Sequence, residues 1–131
     1  VAGGSGIVPL MAMIRSRVAA ASTAQFRLLY SVREPRAVWY RDELETLSES
    51  DQSVSITYAY TRAVPKNWPR PPGRIDADLI ASTTWPSTLV PTCYVCGSTS
   101  FVENAAAALS ASGNNPDKIR TERFGPTGDP K

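Results

Sequence analysis

The feature that most constrains this chain is an unbroken alternation of strand-type and helix-type segments. Ile7, Leu10, Met11, Ile14 and Val18 recur at helical spacing, which predicts a helix from Gly6 to about Ala20. Phe26 to Val32 is β-rich and mostly apolar, as a strand covered on both faces should be. After Glu34-Pro35, the spacing of Val38, Tyr40, Leu44 and Leu47 predicts a helix over Val38 to Leu47 that ends near Ser48. Val54 to Tyr60 alternates with period two, the pattern of a strand with one face less buried, as at a sheet edge.

Ala63 to Gly73 contains Pro65, Pro69, Pro71 and Pro72, so it is neither helix nor inner strand. Arg74 to Ala81 reads as a short helix. A second proline-bounded segment leads from Trp85 to an apolar strand over Thr92 to Gly97. Phe101, Ala105, Ala108, Leu109 and Ser112 space a fourth helix, which Gly113 and Asn114 end. Lys118 to Phe124 alternates again and reads as an edge strand.

Strict alternation of this kind predicts an α/β fold with a parallel five-stranded sheet and helices on both faces. Continuous apolar strands belong at the centre and alternating ones at the edges, which gives the order 3-2-1-4-5. In that order a ligand crevice lies outside the carboxyl ends of strands 1 and 4, where the topology switches. Both Gly3 to Gly6 and Cys96-Gly97 fall there.

The chain starts Val1-Ala2-Gly3-Gly4-Ser5-Gly6-Ile7-Val8-Pro9-Leu10, the end of a buried strand turning through glycines into a helix. Free N–H groups at the start of such a helix, with its dipole, can hold a phosphate. An ordinary glycine-rich turn is the alternative. Pro9 stands where G-x-G-x-x-G would have its third glycine, and no Gly-Lys-Ser/Thr follows, so neither that fingerprint nor a Walker loop is met. Only Val1 and Ala2 precede the glycines, whereas strands usually run about five to six residues. We therefore expect residues 1–131 to form one domain at the C-terminal end of a longer protein. The first strand would be truncated, leaving unpaired backbone on strands 2 and 4.

Composition narrows the chemistry. With 131 residues, 42% of them apolar and 20% charged, the chain can build one ordinary globular core. The net charge of +2 has no long basic run behind it, which argues against extended nucleic-acid binding but leaves room for a local arginine cluster. No stretch approaches the roughly 20 apolar residues of a membrane helix. The absence of histidine removes imidazole acid/base chemistry and the commonest metal ligand. Two cysteines make neither a four-cysteine zinc site nor a disulfide scaffold, and a cytoplasmic, reducing setting is expected.

Several short motifs occur in a specific order. After the glycine turn come Tyr30-Ser31-Val32-Arg33, Tyr40-Arg41-Asp42-Glu43-Leu44 and Thr61-Arg62. Gly73-Arg74-Ile75-Asp76, Tyr94-Val95-Cys96-Gly97, Phe101-Val102-Glu103 and Arg120-Thr121-Glu122-Arg123-Phe124-Gly125 follow. Over nearly its whole length the chain resembles the C-terminal NAD(P)-binding domain of the ferredoxin-NADP reductase superfamily, flavin-linked reductases that include the reductase part of flavohaemoglobins. The resemblance implies an FAD-binding domain in the same chain and hydride exchange between NAD(P)H and FAD. Electrons would pass on to an acceptor such as ferredoxin or haem. The chemistry belongs to the cofactors and the protein positions them. A non-catalytic nucleotide-binding or regulatory module is the alternative.

By the same resemblance, Gly3, Gly4, Ser5 and Gly6 would cradle the pyrophosphate, with Ser5 where threonine is more usual. Cys96 would sit beside the nicotinamide with Gly97, shaping the pocket without attacking anything, whereas Cys93 reads as inert packing. A thioredoxin-like Cys93-x-x-Cys96 pair would belong at a helix start, not inside a strand. Arg33, Thr61, Arg62 and Arg74 match positions that hold the adenosine 2′-phosphate in NADP-using members, so NADP(H) is expected over NAD(H). Converging arginines suit a phosphate dianion, although any one of them is more often a solvated surface residue. Glu122 and Phe124 match residues near the flavin and nicotinamide, and a core phenylalanine is the alternative for Phe124. Trp39, Trp68 and Trp85 have no assigned role beyond packing or loop anchoring.

Overall fold

A computed structural model describes residues 1–125. Its five strands are β1 (Ala2–Gly3), β2 (Phe26–Val32), β3 (Val54–Tyr60), β4 (Cys93–Gly97) and β5 (Ile119–Arg123), all parallel and ordered β3-β2-β1-β4-β5. The helices are α1 (Ile7–Ala19), α2 (Arg41–Ser50), α3 (Ala77–Thr83) and α4 (Thr99–Ala111). This is the expected sheet and strand order.

The two faces of the sheet bury separate clusters. On one, Leu10, Met11 and Ile14 of α1 and Leu44 of α2 pack with Leu28, Tyr30, Val32 and Cys96. On the other, Leu79 and Ile80 of α3 and Val102, Ala105 and Leu109 of α4 pack with Leu29, Ala59 and Val95. Successive strand residues point to opposite faces, so β2 supplies both clusters and is mostly apolar, with only the exposed Arg27 and the buried Ser31 departing from that pattern. Among the described residues, no helix is long and apolar enough to cross a membrane.

β1 is short but central. Ala2 pairs with Tyr30 and Cys96, and Gly3 with Ser31, while the Cys96 amide donates to the Val1 carbonyl at 3.1 Å. On its other edge, β2 pairs with β3 along its whole length, from Phe26 opposite Val54 to Val32 opposite Tyr60.

Two helix starts differ from the sequence reading. α2 begins at Arg41, not Val38, because Tyr40 is left-handed with φ +60 and the preceding Pro35–Ala37 forms a separate 3-10 turn. That conformation is strained for a bulky residue. Tertiary contacts hold it: Tyr40 packs on the first core cluster, the Arg15 guanidinium lies 5.2 Å from its ring centroid, and the Trp39 amide donates to the Tyr30 hydroxyl at 3.1 Å. α3 begins at Ala77, not Arg74, because the Asp76 carboxylate accepts from the Leu79 amide at 2.8 Å and so caps it. The end of α4 follows expectation. Gly113, at φ +92, donates to Ser110 and Asn114 to Leu109, the paired bonds of a Schellman stop.

Candidate functional site

The turn after β1 is built by glycines with different duties. Gly4 takes φ +52 with open space around it, so its amide can face a ligand without a side chain in the way. Gly6 is buried, and a Cβ there would lie 2.0 Å from the Cys96 carbonyl oxygen. Its missing side chain lets α1 start directly against β4. Pro9 falls in the first turn of α1, where its missing N–H costs no helical bond.

Around this turn, at the carboxyl ends of the strands, lies a cleft with two lobes. The larger, of about 450 Å³, is lined by Gly3, Gly4, Ser5, Ser31, Val32, Arg33, Ala37, Trp39, Thr61, Ser98, Phe101 and Phe124. The smaller, of about 320 Å³, is lined by Arg33, Thr61, Arg62 and Arg74 with Ser31, Ile75, Ser100, Phe101 and Asn104. Ser31, Arg33, Thr61 and Phe101 belong to both, so the glycine turn and the arginines share one continuous cleft.

Backbone bonds beyond the ends of β2 and β3 set the arginines side by side. Thr61 donates to Val32 at 2.9 Å, and Arg62 and Ala63 both donate to the Arg33 carbonyl. Arg33, Arg62 and Arg74 are exposed and, among the described residues, have no carboxylate partner. Arg15, Arg17, Arg36, Arg41 and Arg70 each have one. A cluster of unpaired arginines in a cleft leaves positive potential suited to a phosphate dianion.

Of the other sequence-predicted residues, Gly3, Ser5 and Phe124 line the larger lobe. Gly6, Cys96, Gly97 and Glu122 are not among the lining residues of either lobe. Cys96 is only 6% exposed and stands in register between Ala2 and the exposed Glu122. Burial pushes its thiol up, and the Glu122 carboxylate adds to the rise, so the sulfur stays protonated and unreactive. Cys93, half-buried against the second core cluster, is likewise pushed up by burial. Both are free thiols on opposite sheet faces. Gly97 accepts the Phe124 amide at 3.1 Å and so fixes where β5 delivers that ring.

Sequence reasoning gave no role to Ser31, Trp39, Phe101 or Asn104. The Phe101 ring lies across the ends of β1 and β4, where a Cβ on Gly3 or Gly97 would come within 2.5 or 2.7 Å of it. Two strand-end glycines with an aromatic opening the next helix were the available signal. Ser31, 5% exposed, was legible only as a hydroxyl in an apolar strand. Asn104 donates to the Ile75 carbonyl at 2.9 Å, tying α4 to the segment that carries Arg74. Trp85 packs under the Arg27 guanidinium and Trp68 against Tyr60, as the packing default has it, but Trp39 is 52% exposed on the cleft wall.

The chain is similar to known proteins in sequence and in fold. Over 130 residues the chain is 28% identical to a flavohemoprotein of Rhodopirellula baltica, covering 96% of this chain and 31% of that one. It is 30% identical over 124 residues to rat NADH-cytochrome b5 reductase 2, covering 92% of this chain and 45% of the relative. The chain thus spans about a third to a half of these relatives. The cytochrome b5 reductase domain of Ulva prolifera nitrate reductase superposes with a TM-score of 0.82 at 22% identity, covering 92% of this chain and 46% of that one. A family model for the oxidoreductase NAD-binding domain matches residues 1–107, and the chain belongs to that family, within the ferredoxin-NADP reductase superfamily.

Proposed function

We propose that residues 1–131 are the pyridine-nucleotide domain of an FAD-dependent oxidoreductase that uses NADPH and passes electrons to an acceptor such as ferredoxin or haem. The observation that carries this reading is the continuity of the glycine turn with the arginine lobe. Gly4 leaves bare amides, and the arginines leave uncompensated charge in the same cleft. Both fit a dinucleotide with a pyrophosphate and a ribose phosphate. The FAD-binding domain of the same protein is the first partner, and the setting is cytoplasmic.

In this reading the Gly3 to Ser5 turn holds the pyrophosphate, with the Ser5 hydroxyl as a further donor. Arg33, Arg62 and Arg74, with Thr61, hold the 2′-phosphate. Cys96 and Gly97 form the small, apolar support beside the nicotinamide, where a protonated thiol packs without competing for hydride. Phe124 and Glu122 flank the approach of the flavin. When bound, the nicotinamide supplies a hydride to the flavin; the protein's part is to bind, orient and exclude water.

Calorimetric titration of the intact flavoprotein with NADPH, NADH and ADP-ribose tests this. NADPH should bind most tightly, and Arg62→Ala with Arg74→Ala should erase its advantage over NADH. Equal affinity for NADH and NADPH would overturn the 2′-phosphate assignment. ADP-ribose binding as tight as NADPH, with no flavin reduction, would favour a non-catalytic nucleotide-sensing module. The 131 residues supplied with FAD should not oxidise NADPH, and activity from them alone would refute the domain assignment.

A further inference from the structure

The loop that carries Arg62 and Arg74 is closed and stapled. Its neck is the bond from the Gly73 amide to the Tyr60 carbonyl at 3.0 Å, which brings its two ends together at the tip of β3. Arg62 leaves this neck on one side and Arg74 on the other, and both line the smaller lobe. Near the far end, Asn67 at φ +63 and the Trp68 amide bonded to Pro65 at 3.1 Å turn the chain back. The Trp68 ring then meets the Tyr60 ring edge-on, with centroids 5.1 Å apart and planes at 69°. Tyr60 is 4% exposed and belongs to the first core cluster, so Trp68 is anchored to the body of the domain. A second tether, Arg70 to Asp76 at 2.9 Å, joins the loop to the residue that caps α3.

Prolines narrow the loop's unfolded ensemble but do not aim it at the core. Arginines without carboxylate partners repel one another, so an untethered loop would spread them. An edge-on aromatic pair opposes that spreading before any ligand arrives, which lowers the cost of ordering the site on binding.

We propose that Trp68 is a positioning residue for nucleotide discrimination: docked on Tyr60, it holds the loop so that Arg62 and Arg74 converge on the ribose 2′-phosphate. This rests on the NADPH reading above and deepens it. Trp68 touches neither the phosphate nor the reacting atoms. Its removal therefore alters KM for the phosphorylated dinucleotide alone.

Steady-state kinetics of the intact flavoprotein with NADPH and NADH tests it. Trp68→Ala should raise KM for NADPH roughly three- to tenfold, the range an aromatic pair supports. The kcat and the KM for NADH should stay put. Trp68→Phe, which keeps an edge-on ring, should recover most of the loss. If Trp68→Ala does not fold, Trp68→Leu carries the same test, keeping apolar burial without the ring. Equal use of NADH and NADPH by the unsubstituted enzyme would overturn the 2′-phosphate reading itself. With that preference intact, an unchanged NADPH KM, or an equal rise for both nucleotides, would overturn the role of Trp68.

Discussion

At the glycine end of the cleft the wall is backbone pressed against backbone, while at the arginine end it is side chains carried on an exposed loop. Gly6 abuts the Cys96 carbonyl, and the Phe101 ring fills the space that side chains on Gly3 and Gly97 would take. Arg33, Arg62 and Arg74 are exposed and held only through their backbone and the loop's tethers. The first end is inseparable from the fold, because its shape is the packing of α1 and α4 on the sheet. The second can change without unfolding anything, which is where a protein can alter its choice of nucleotide.

Substitutions at the two ends can break or sharpen that contrast. The largest effect is expected for Gly6→Ala, whose Cβ would sit 2.0 Å from a backbone oxygen that cannot swing aside. About 3 kcal/mol or more of stability should be lost, read by urea unfolding. A Gly6→Ala protein of normal stability would erase the distinction. Arg62→Ala with Arg74→Ala should leave stability within about 0.5 kcal/mol yet weaken NADPH binding roughly tenfold or more, by calorimetry. Loss of folding there would show that the loop is structural after all.

Gly4→Ala should cost about 1 kcal/mol, since its φ of +52 is unfavourable for alanine while nothing lies within 4 Å to clash. A loss as large as that of Gly6→Ala would mean the two glycines share one duty. The smallest response is expected at Cys96. Iodoacetamide at pH 8 should label it only after unfolding, because it is buried and its thiol is pushed above the ordinary range, so little thiolate forms at that pH. Rapid labelling of the native protein, read by mass spectrometry, would place that sulfur in the open cleft.

Strands such as Phe26–Val32 and Val54–Tyr60 were legible residue for residue, because β propensity and the burial of their faces agree along the chain. The start of α2 was not. Val38 continues the helical spacing, but Tyr40 is bent to φ +60 by contacts with Arg15 and the core. Strand order put the glycine turn at the cleft end of the sheet, and the family resemblance, not strand order, pointed to the strand-end arginines and Phe124, which line the cleft. Neither placed Phe101 or Trp39 there. In sequence Phe101 reads as a helix-face residue and Trp39 has no assigned place, and only the meeting of α4 with β1, or of the segment after β2 with Tyr30, turns them to the cleft.

By itself, the sequence determined the parallel sheet, its strand order and the end at which a ligand would bind, since hydrophobic period and chain order are local properties that leave one compact solution. The tertiary structure alone decided which glycine faces the cleft and which faces the core, and which aromatic ring lines the wall. It also decided how the loop between β3 and α3 aims its arginines. Those outcomes depend on close approach between residues far apart in the chain, and no local pattern encodes such distances.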